Sequence, residues 1–385
     1  MNILHVFKVY YPDSYGGIEQ VIRQLAQSRL DGVKHGVFTL SKQGLDDRRC
    51  IEVDGVPVTR ARAHFSLAST SVSFSALAAF RNAAAQADLV HYHFPWPFAD
   101  VLHFAAGVRT PSILTYHSDI VRQRLLMPLY APLMHRFLAR MRVIVATSPN
   151  YLETSDVLKR HRDRVQTIPI GLDPAQCTSD EERVACWRER LGSGFFLFIG
   201  AIRYYKGLHI LMEAARNAAF RVVILGAGPQ ERALKKQAGE LGLCNVTFLG
   251  ALPDADKYAL LELCRGVVFP SHLRSEAFGV TLLEGAMFGR PLVSSEIGTG
   301  SSYVNIDGLT GYVVPPSDPD ALRAVLHRLH ADPALAAALG RNAHARFVER
   351  FQASTMRGRY QQLYESVLEG GTALDAAHHL ALPRV

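Results

Sequence analysis

What the chain lacks narrows the possibilities before any motif is considered. In 385 residues no apolar run approaches the roughly 20 needed to cross a bilayer. There are only five cysteines (Cys50, Cys177, Cys186, Cys244 and Cys264), and no two make a C-x-x-C. That excludes a disulfide framework or a thiolate zinc site and fits a reducing cytosol. Met1-Asn2-Ile3-Leu4-His5-Val6-Phe7 carries no basic segment ahead of its apolar run, so it reads as a first strand rather than a signal peptide. The turn after it, Gly16-Gly17, lacks the G-x-G-x-x-G spacing of a dinucleotide site, which disfavours a nicotinamide dehydrogenase. Disorder is excluded as well, because 48% of the residues are apolar and only 20% are charged.

The length suits two domains, each with its own core. Short β-rich runs alternate with helical periodicity along the whole chain. In the first half the expected strands are 3–7, 36–40, 89–92, 112–116 and 143–147. In the second they are 195–199, 222–225, 246–248, 267–269, 292–294 and 311–314. Such alternation predicts α/β architecture with doubly wound parallel sheets, two Rossmann-like domains facing across a cleft. Ile168-Pro169-Ile170-Gly171-Leu172-Asp173-Pro174 is the expected join, giving an N-terminal domain over 1–170 and a C-terminal one over 174–353. Residues 370–385 read as a frayed tail.

The charge is divided unevenly. Residues 1–170 hold 20 Lys and Arg against 13 Asp and Glu, and the remainder is balanced at 22 against 22. Part of the excess lies at Arg122, Arg124, Arg136, Arg140 and Arg142, more at Lys159, Arg160, Arg162 and Arg164. A basic stretch carrying Leu, Met and Tyr suits an anionic membrane surface, a solvated helix face being the plain alternative. Nucleic acid is disfavoured, since no aromatic platform interleaves the charges.

Glu276-Ala277-Phe278-Gly279-Val280-Thr281-Leu282-Leu283-Glu284 is the most telling stretch. Two carboxylates bracket a glycine at a predicted helix start, just beyond the strand Val267–Phe269. In open α/β sheets ligands bind at that carboxyl end. A carboxylate held there can accept hydrogen bonds from neighbouring sugar or ribose hydroxyls. The bland alternative is two acids favoured by a helix N-terminus. Lys206 and Arg203, in Gly200-Ala201-Ile202-Arg203-Tyr204-Tyr205-Lys206-Gly207, follow another strand, where cations can neutralise a diphosphate. Gly16 and Gly17 let backbone N–H groups approach a phosphate at a helix start. His117 ends the strand Ser112–Tyr116, with Asp119 a candidate to orient it. His91 and His93 end another strand and are candidates for acceptor contact. Asp254-Ala255-Asp256 reads as a helix cap and first turn rather than a metal site, and no other Asp, Glu or His cluster has ligand spacing.

The Glu276–Glu284 stretch resembles the Glu-x7-Glu signature of retaining, GT-B-fold glycosyltransferases, the large sucrose-synthase-like family 4 (glycosyl transferases group 1). Residues 200–207 are similar to that family's Gly-Arg-x-x-x-x-Lys-Gly, with Ala201 at the arginine position and Arg203 two residues on. Further similarity lies at 225–229, 248–250 and 307–315, and Ile297–Asn305 resembles a subset acting on lipopolysaccharide O-chains. The resemblance implies that Glu284 holds ribose hydroxyls and Glu276 the donor sugar. Backbone N–H groups around Phe278, Gly279 and Val280 would meet the sugar. Lys206, Arg203 and the Gly16-Gly17 turn would hold the diphosphate, and His117 would meet the donor sugar. It also implies that a helix over 354–369 returns to the N-terminal domain. The donor would be a nucleotide-sugar, best a GDP-linked mannose or rhamnose, used without metal or cofactor. The acceptor would be a polyprenyl-diphosphate-linked saccharide, with the enzyme cytoplasmic and peripheral at the inner membrane face. Rival readings are a nucleotide-sugar epimerase of the same fold, a phosphorylase, for which the chain is short, and a non-catalytic sugar- or lipid-binding protein.

Overall fold

A computed structural model describes residues 1–14, 16–27, 32–41, 50–67, 70–121 and 126–371. The basic positions Arg122 and Arg124 and the tail from residue 372 lie outside the described residues. The chain forms two compact units, one of Met1–Ile170 with the segment from Ala353 onward, the other of Gly171–Gln352.

The first unit is built on an eight-stranded sheet. Its strands are β1 (Asn2–Val6), β2 (Lys34–Ser41), β3 (Cys50–Val53), β4 (Val56–Arg62), β7 (Leu89–Phe94), β8 (Ser112–Tyr116), β9 (Val143–Ala146) and β10 (Val165–Thr167). Between β4 and β7 in sequence, β5 (Phe65–Leu67) and β6 (Thr70–Val72) make a separate small hairpin. The spatial order is β10-β9-β8-β7-β1-β2-β4-β3, parallel throughout except for the edge pair β3–β4. The β3–β4 hairpin turns at Asp54-Gly55, both with positive φ, the Asp-Gly pair being a strong hairpin signal. The helix Ala353–Leu368 belongs to this unit and buries Met356, Tyr360, Leu363, Tyr364 and Val367.

The second unit is a six-stranded, wholly parallel sheet of β11 (Phe196–Ile199), β12 (Val222–Leu225), β13 (Val246–Gly250), β14 (Gly266–Phe269), β15 (Leu292–Ser295) and β16 (Gly311–Val314). The order β13-β12-β11-β14-β15-β16 is the doubly wound order 3-2-1-4-5-6. Phe196, Leu197 and Phe198 are fully buried, as are Val267, Val268 and Leu292, because helices cover both sheet faces. The order reverses between β11 and β14, so the loops leaving those strands diverge to opposite faces and open a crevice at their carboxyl ends. Those loops are 200–207 and 270–279.

Candidate active site

In the second unit the switch point gathers the residues expected to hold a donor. The loop after β11 makes a 3-10 turn, Tyr204–Lys206, and ends at Gly207. Gly207 has φ +68, and a Cβ there would sit 1.9 Å from the Pro270 carbonyl oxygen, so only glycine lets the two loops approach. The approach brings Lys206 Nζ onto Glu276 Oε2 as an ion pair, each side chain only 12% exposed. Lys206 also lies 4.8 Å over the Phe269 ring. Arg203 is exposed and extended just ahead of the turn. Gly279 starts the helix Val280–Met287 with φ +88, and no side chain caps that helix. One face of that helix buries Glu284, whose Oε1 accepts from Lys257 Nζ at 2.7 Å.

Lys257 was not foreseen from the sequence. It stands on the helix Asp254–Leu263, with Asp254 Oδ1 2.9 Å from its ammonium. Burial alone would push its pKa down, but the Glu284 carboxylate, with Tyr258 and Asp254, outweighs that and holds the ammonium above its ordinary value. Asp254 and Asp256 do occupy the first turn of this helix, but neither caps it by a side-chain hydrogen bond. The capping expectation is corrected in that respect: Asp256 Oδ1 accepts from Arg183 at 2.9 Å and from the Trp187 indole at 3.0 Å, tying this helix to Glu181–Leu191.

In the first unit Gly16 is the N-cap of the helix Gly17–Ala26, without a side-chain cap. Glu19 folds back over it, so that a Cβ at Gly16 would lie 2.5 Å from Glu19 Oε2, and Ser14 Oγ donates to the same carboxylate at 2.5 Å. This helix start already carries an acid of its own. His117 is 4% exposed, and its backbone N–H donates to the Phe94 carbonyl at 3.0 Å. Asp119 Oδ1 accepts from the Tyr116 hydroxyl at 2.9 Å and from Ser155 at 2.7 Å. The ring partner of His117 is His93, Nε2 to Nδ1 at 3.0 Å. His91 is fully buried, with Nδ1 2.9 Å from the Tyr364 hydroxyl and Nε2 2.7 Å from Thr115 Oγ1. His93 is 1% exposed, and its other nitrogen meets His5. His91 and His93, expected to meet the acceptor, thus have both ring nitrogens engaged within the unit. The expectation that no histidine cluster has ligand spacing is corrected too. Ring nitrogens of His5, His91 and His93 come within 4.8 Å of one another, because β1 pairs with β7 and places His5 beside His91.

The glycosyl transferases group 1 model matches residues 180–346, and the Glycosyltransferase Family 4 model matches 15–176. D-rhamnosyltransferase WbpZ of Pseudomonas aeruginosa is 52% identical over 92% of this chain and 93% of its own length. This chain belongs to glycosyltransferase family 4. A second relative, O-antigen chain mannosyltransferase C of Escherichia coli, is 49% identical over 96% of this chain and 99% of its own. Among solved structures, a sucrose-phosphate synthase from Thermosynechococcus elongatus superposes with TM-score 0.80 at 21% identity, covering 96% of this chain and all of that one. Anabaena HepE in complex with UDP and glucose gives 0.78 at 20% identity over 94% and 99%. These likenesses show the GT-B fold. The protein is a glycosyltransferase, and among its described residues no helix is long and apolar enough to cross a membrane.

Within this glycosyltransferase, then, Glu276, Glu284, Lys206, Phe278, Gly279 and Val280 come together around one switch point of the 171–352 unit. His117, His91, His93, Gly16 and Gly17 stand in the other unit. The unforeseen Lys257 had a signal, since it sits three residues after Asp254 on an amphipathic helix. Its pairing with Glu284 needed the third dimension.

Proposed function

We propose that the protein is a retaining hexosyltransferase moving mannose or rhamnose from a GDP-sugar onto a polyprenyl-diphosphate-linked saccharide in O-antigen synthesis. The observation that carries the reading is the pair of carboxylates at the β11/β14 switch point, each held by its own lysine: Glu276 by Lys206, Glu284 by Lys257. A carboxylate with one oxygen occupied by an ammonium keeps its second oxygen for ligand hydroxyls. In this reading Glu284 accepts from the ribose and Glu276 from the sugar, while the Phe278–Val280 backbone lies along the sugar. Lys206 and Arg203 face the diphosphate. As the C1–O bond to phosphate breaks, charge grows on the departing oxygen, and the Lys206 ammonium stabilises it. The acceptor hydroxyl oxygen then bonds to C1 on the face the diphosphate leaves, and its proton passes to the released phosphate. No metal or cofactor is invoked for this step. The choice of sugar is supported by the relatives' names, D-rhamnosyltransferase and O-antigen chain mannosyltransferase. Peripheral attachment to an anionic inner leaflet is supported by the exposed Arg136, Arg140 and Arg142, with Leu129 86% exposed on the helix Met127–Leu138.

The test is a thermal-shift panel of GDP, UDP, ADP and TDP, with and without magnesium, on wild type and Glu284→Ala. Stabilisation by GDP alone, independent of magnesium and lost in the variant, is the expected result. Stabilisation by UDP instead would overturn the donor, and free epimerised sugar released without acceptor would overturn transfer itself.

A further inference from the structure

Four histidines run in file across one face of the first unit's sheet. His35 stands on β2, His5 on β1, His93 on β7 and His117 just past β8, and three ring-to-ring hydrogen bonds join them. His35 Nδ1 meets His5 Nε2 at 3.0 Å, His5 Nδ1 meets His93 Nε2 at 3.1 Å, and His93 Nδ1 meets His117 Nε2 at 3.0 Å. Tyr360 and Tyr364, from the helix Ala353–Leu368, take part beside the file, Tyr364 through His91 and Tyr360 through Thr115.

A neutral imidazole has one N–H and one lone pair. In each of the two inner rings both nitrogens are already engaged, so donation must run the same way through all three bonds. Either every ring carries its proton on Nδ1 or every ring carries it on Nε2. Burial opposes a charged escape from this choice: it holds His5 and His93 well below the ordinary histidine value, His35 at about 4 and His117 at about 3. The far end selects between the two states. His35 Nε2 is buried without a protein partner. It borders a cavity of about 10 Å³, room for about one water, whose lining includes Arg357, Gln361, Tyr360 and Tyr364. His35 Nε2 meets no acceptor, and Arg357 on the same lining gives its N–H groups to Gln24 and brings positive charge but no acceptor. A lone pair there is favoured over an N–H, which places the His35 proton on Nδ1.

We infer that His35, His5 and His93 are positioning residues that fix the tautomer of His117, so that His117 accepts at Nε2 and holds an N–H at Nδ1 for a substrate hydroxyl. The direction of donation is set three hydrogen bonds away, at the pocket under the Ala353–Leu368 helix. That the hydroxyl belongs to a sugar substrate rests on the proposed function; the tautomer does not. A metal at His5, His91 and His93 would have to break hydrogen bonds at the nitrogens that all three rings already use.

The test uses the full chain with ¹⁵N-labelled histidine and long-range ¹H–¹⁵N correlation spectra at pH 7.5, which separate protonated from unprotonated ring nitrogens. All four histidines should show Nδ1 protonated and Nε2 bare. His35→Phe, at the rim of the file, removes the fixed end; His117 should then show a mixed or reversed pattern. In the same variant kcat should fall roughly three- to tenfold, the worth of one neutral hydrogen bond, with KM nearly unchanged. His35→Asn, whose amide can still donate to His5 Nε2, should keep the wild-type spectrum and rate. A His117 that is protonated on Nε2 in wild type, or that does not respond to His35→Phe, overturns the inference and leaves the proposed function standing. A responsive spectrum with unchanged kcat overturns the role in transfer. Zinc that shifts the His5, His91 and His93 resonances stoichiometrically overturns the file in favour of a metal site.

Discussion

Replacing Lys257 by methionine tests whether the second donor carboxylate is held by a desolvated ion pair. Lys257 Nζ and Glu284 Oε1 are 2.7 Å apart, and the two side chains are 12% and 6% exposed. At an effective dielectric of about 20 that separation gives about 6 kcal/mol of gross attraction, most of it offset by removing both charges from water. The pair's net worth is therefore small, but removing one partner strands the other. Lys257→Met should cost about 3–5 kcal/mol, because the Glu284 charge is left buried and Asp254, 76% exposed, adds only more negative charge. For a unit of this size each kcal/mol moves Tm by about 2–4 °C, so a fall of roughly 6–20 °C is expected by differential scanning fluorimetry. Adding Glu284→Gln should recover about 2–3 kcal/mol of the loss, since the stranded charge is gone. The effect should not vary between pH 6.5 and 8.5. A lysine whose folded pKa is raised contributes its full stability below its ordinary 10.5 and loses it only as pH climbs through the higher folded value. A single substitution costing under about 1 kcal/mol, or a double-mutant cycle additive within about 0.5 kcal/mol, would refute the claim that these groups form a buried pair.

Lys206→Gln should lower kcat by about 10²–10³-fold, the usual cost of removing one group that stabilises developing charge, and steady-state transfer assays would show it. Glu276→Gln should weaken donor binding instead, and a rise in KM measures that. Neutralising Arg136, Arg140 and Arg142 together should reduce transfer to liposome-bound acceptor and spare a water-soluble acceptor analogue; equal activity on both would remove the membrane role. Acid should destabilise the first unit: the buried histidines stay neutral when folded but protonate near 6.5 when unfolded, so stability is full above pH 6.5 and falls as pH drops toward 4. The loss should reach about 1.4 kcal/mol per pH unit for each such histidine, and denaturation midpoints at pH 7.5, 6 and 5 would read it.

Much of this molecule was legible in its sequence. Phe195–Ile199, Val222–Leu225 and Gly311–Val314 are short apolar runs that read as strands of a covered parallel sheet, and the observed strands match them within a residue. Strands such as Val165–Thr167 and the β3–β4 hairpin were not foreseen, because three residues carry no periodicity and an antiparallel edge breaks the βα alternation. Glu276 and Glu284 were legible as a pair because Gly279 between them announces a helix start, and its φ of +88 shows why glycine is there. Lys257 was not, since its meaning lies in a partner 27 positions away on another helix.

The histidines make the same point more sharply. Along the chain, His5, His35 and His93 lie in three different strands and His117 just past a fourth, which reads as four separate core histidines. Parallel register changes their meaning. β1 lies between β2 and β7, and β8 lies beyond β7, so residues far apart in sequence fall into adjacent rows on one sheet face. A lone buried imidazole would need two polar partners supplied by other residue types. A file of them supplies one another's partners, which is how so much polarity is accommodated where Leu4, Val6, Val90 and Leu114 are nearly or fully buried. Self-sufficiency has a consequence that separate satisfied histidines would not share: no ring can change tautomer alone. Any group that takes or gives a hydrogen bond at His117 must therefore work against the whole file.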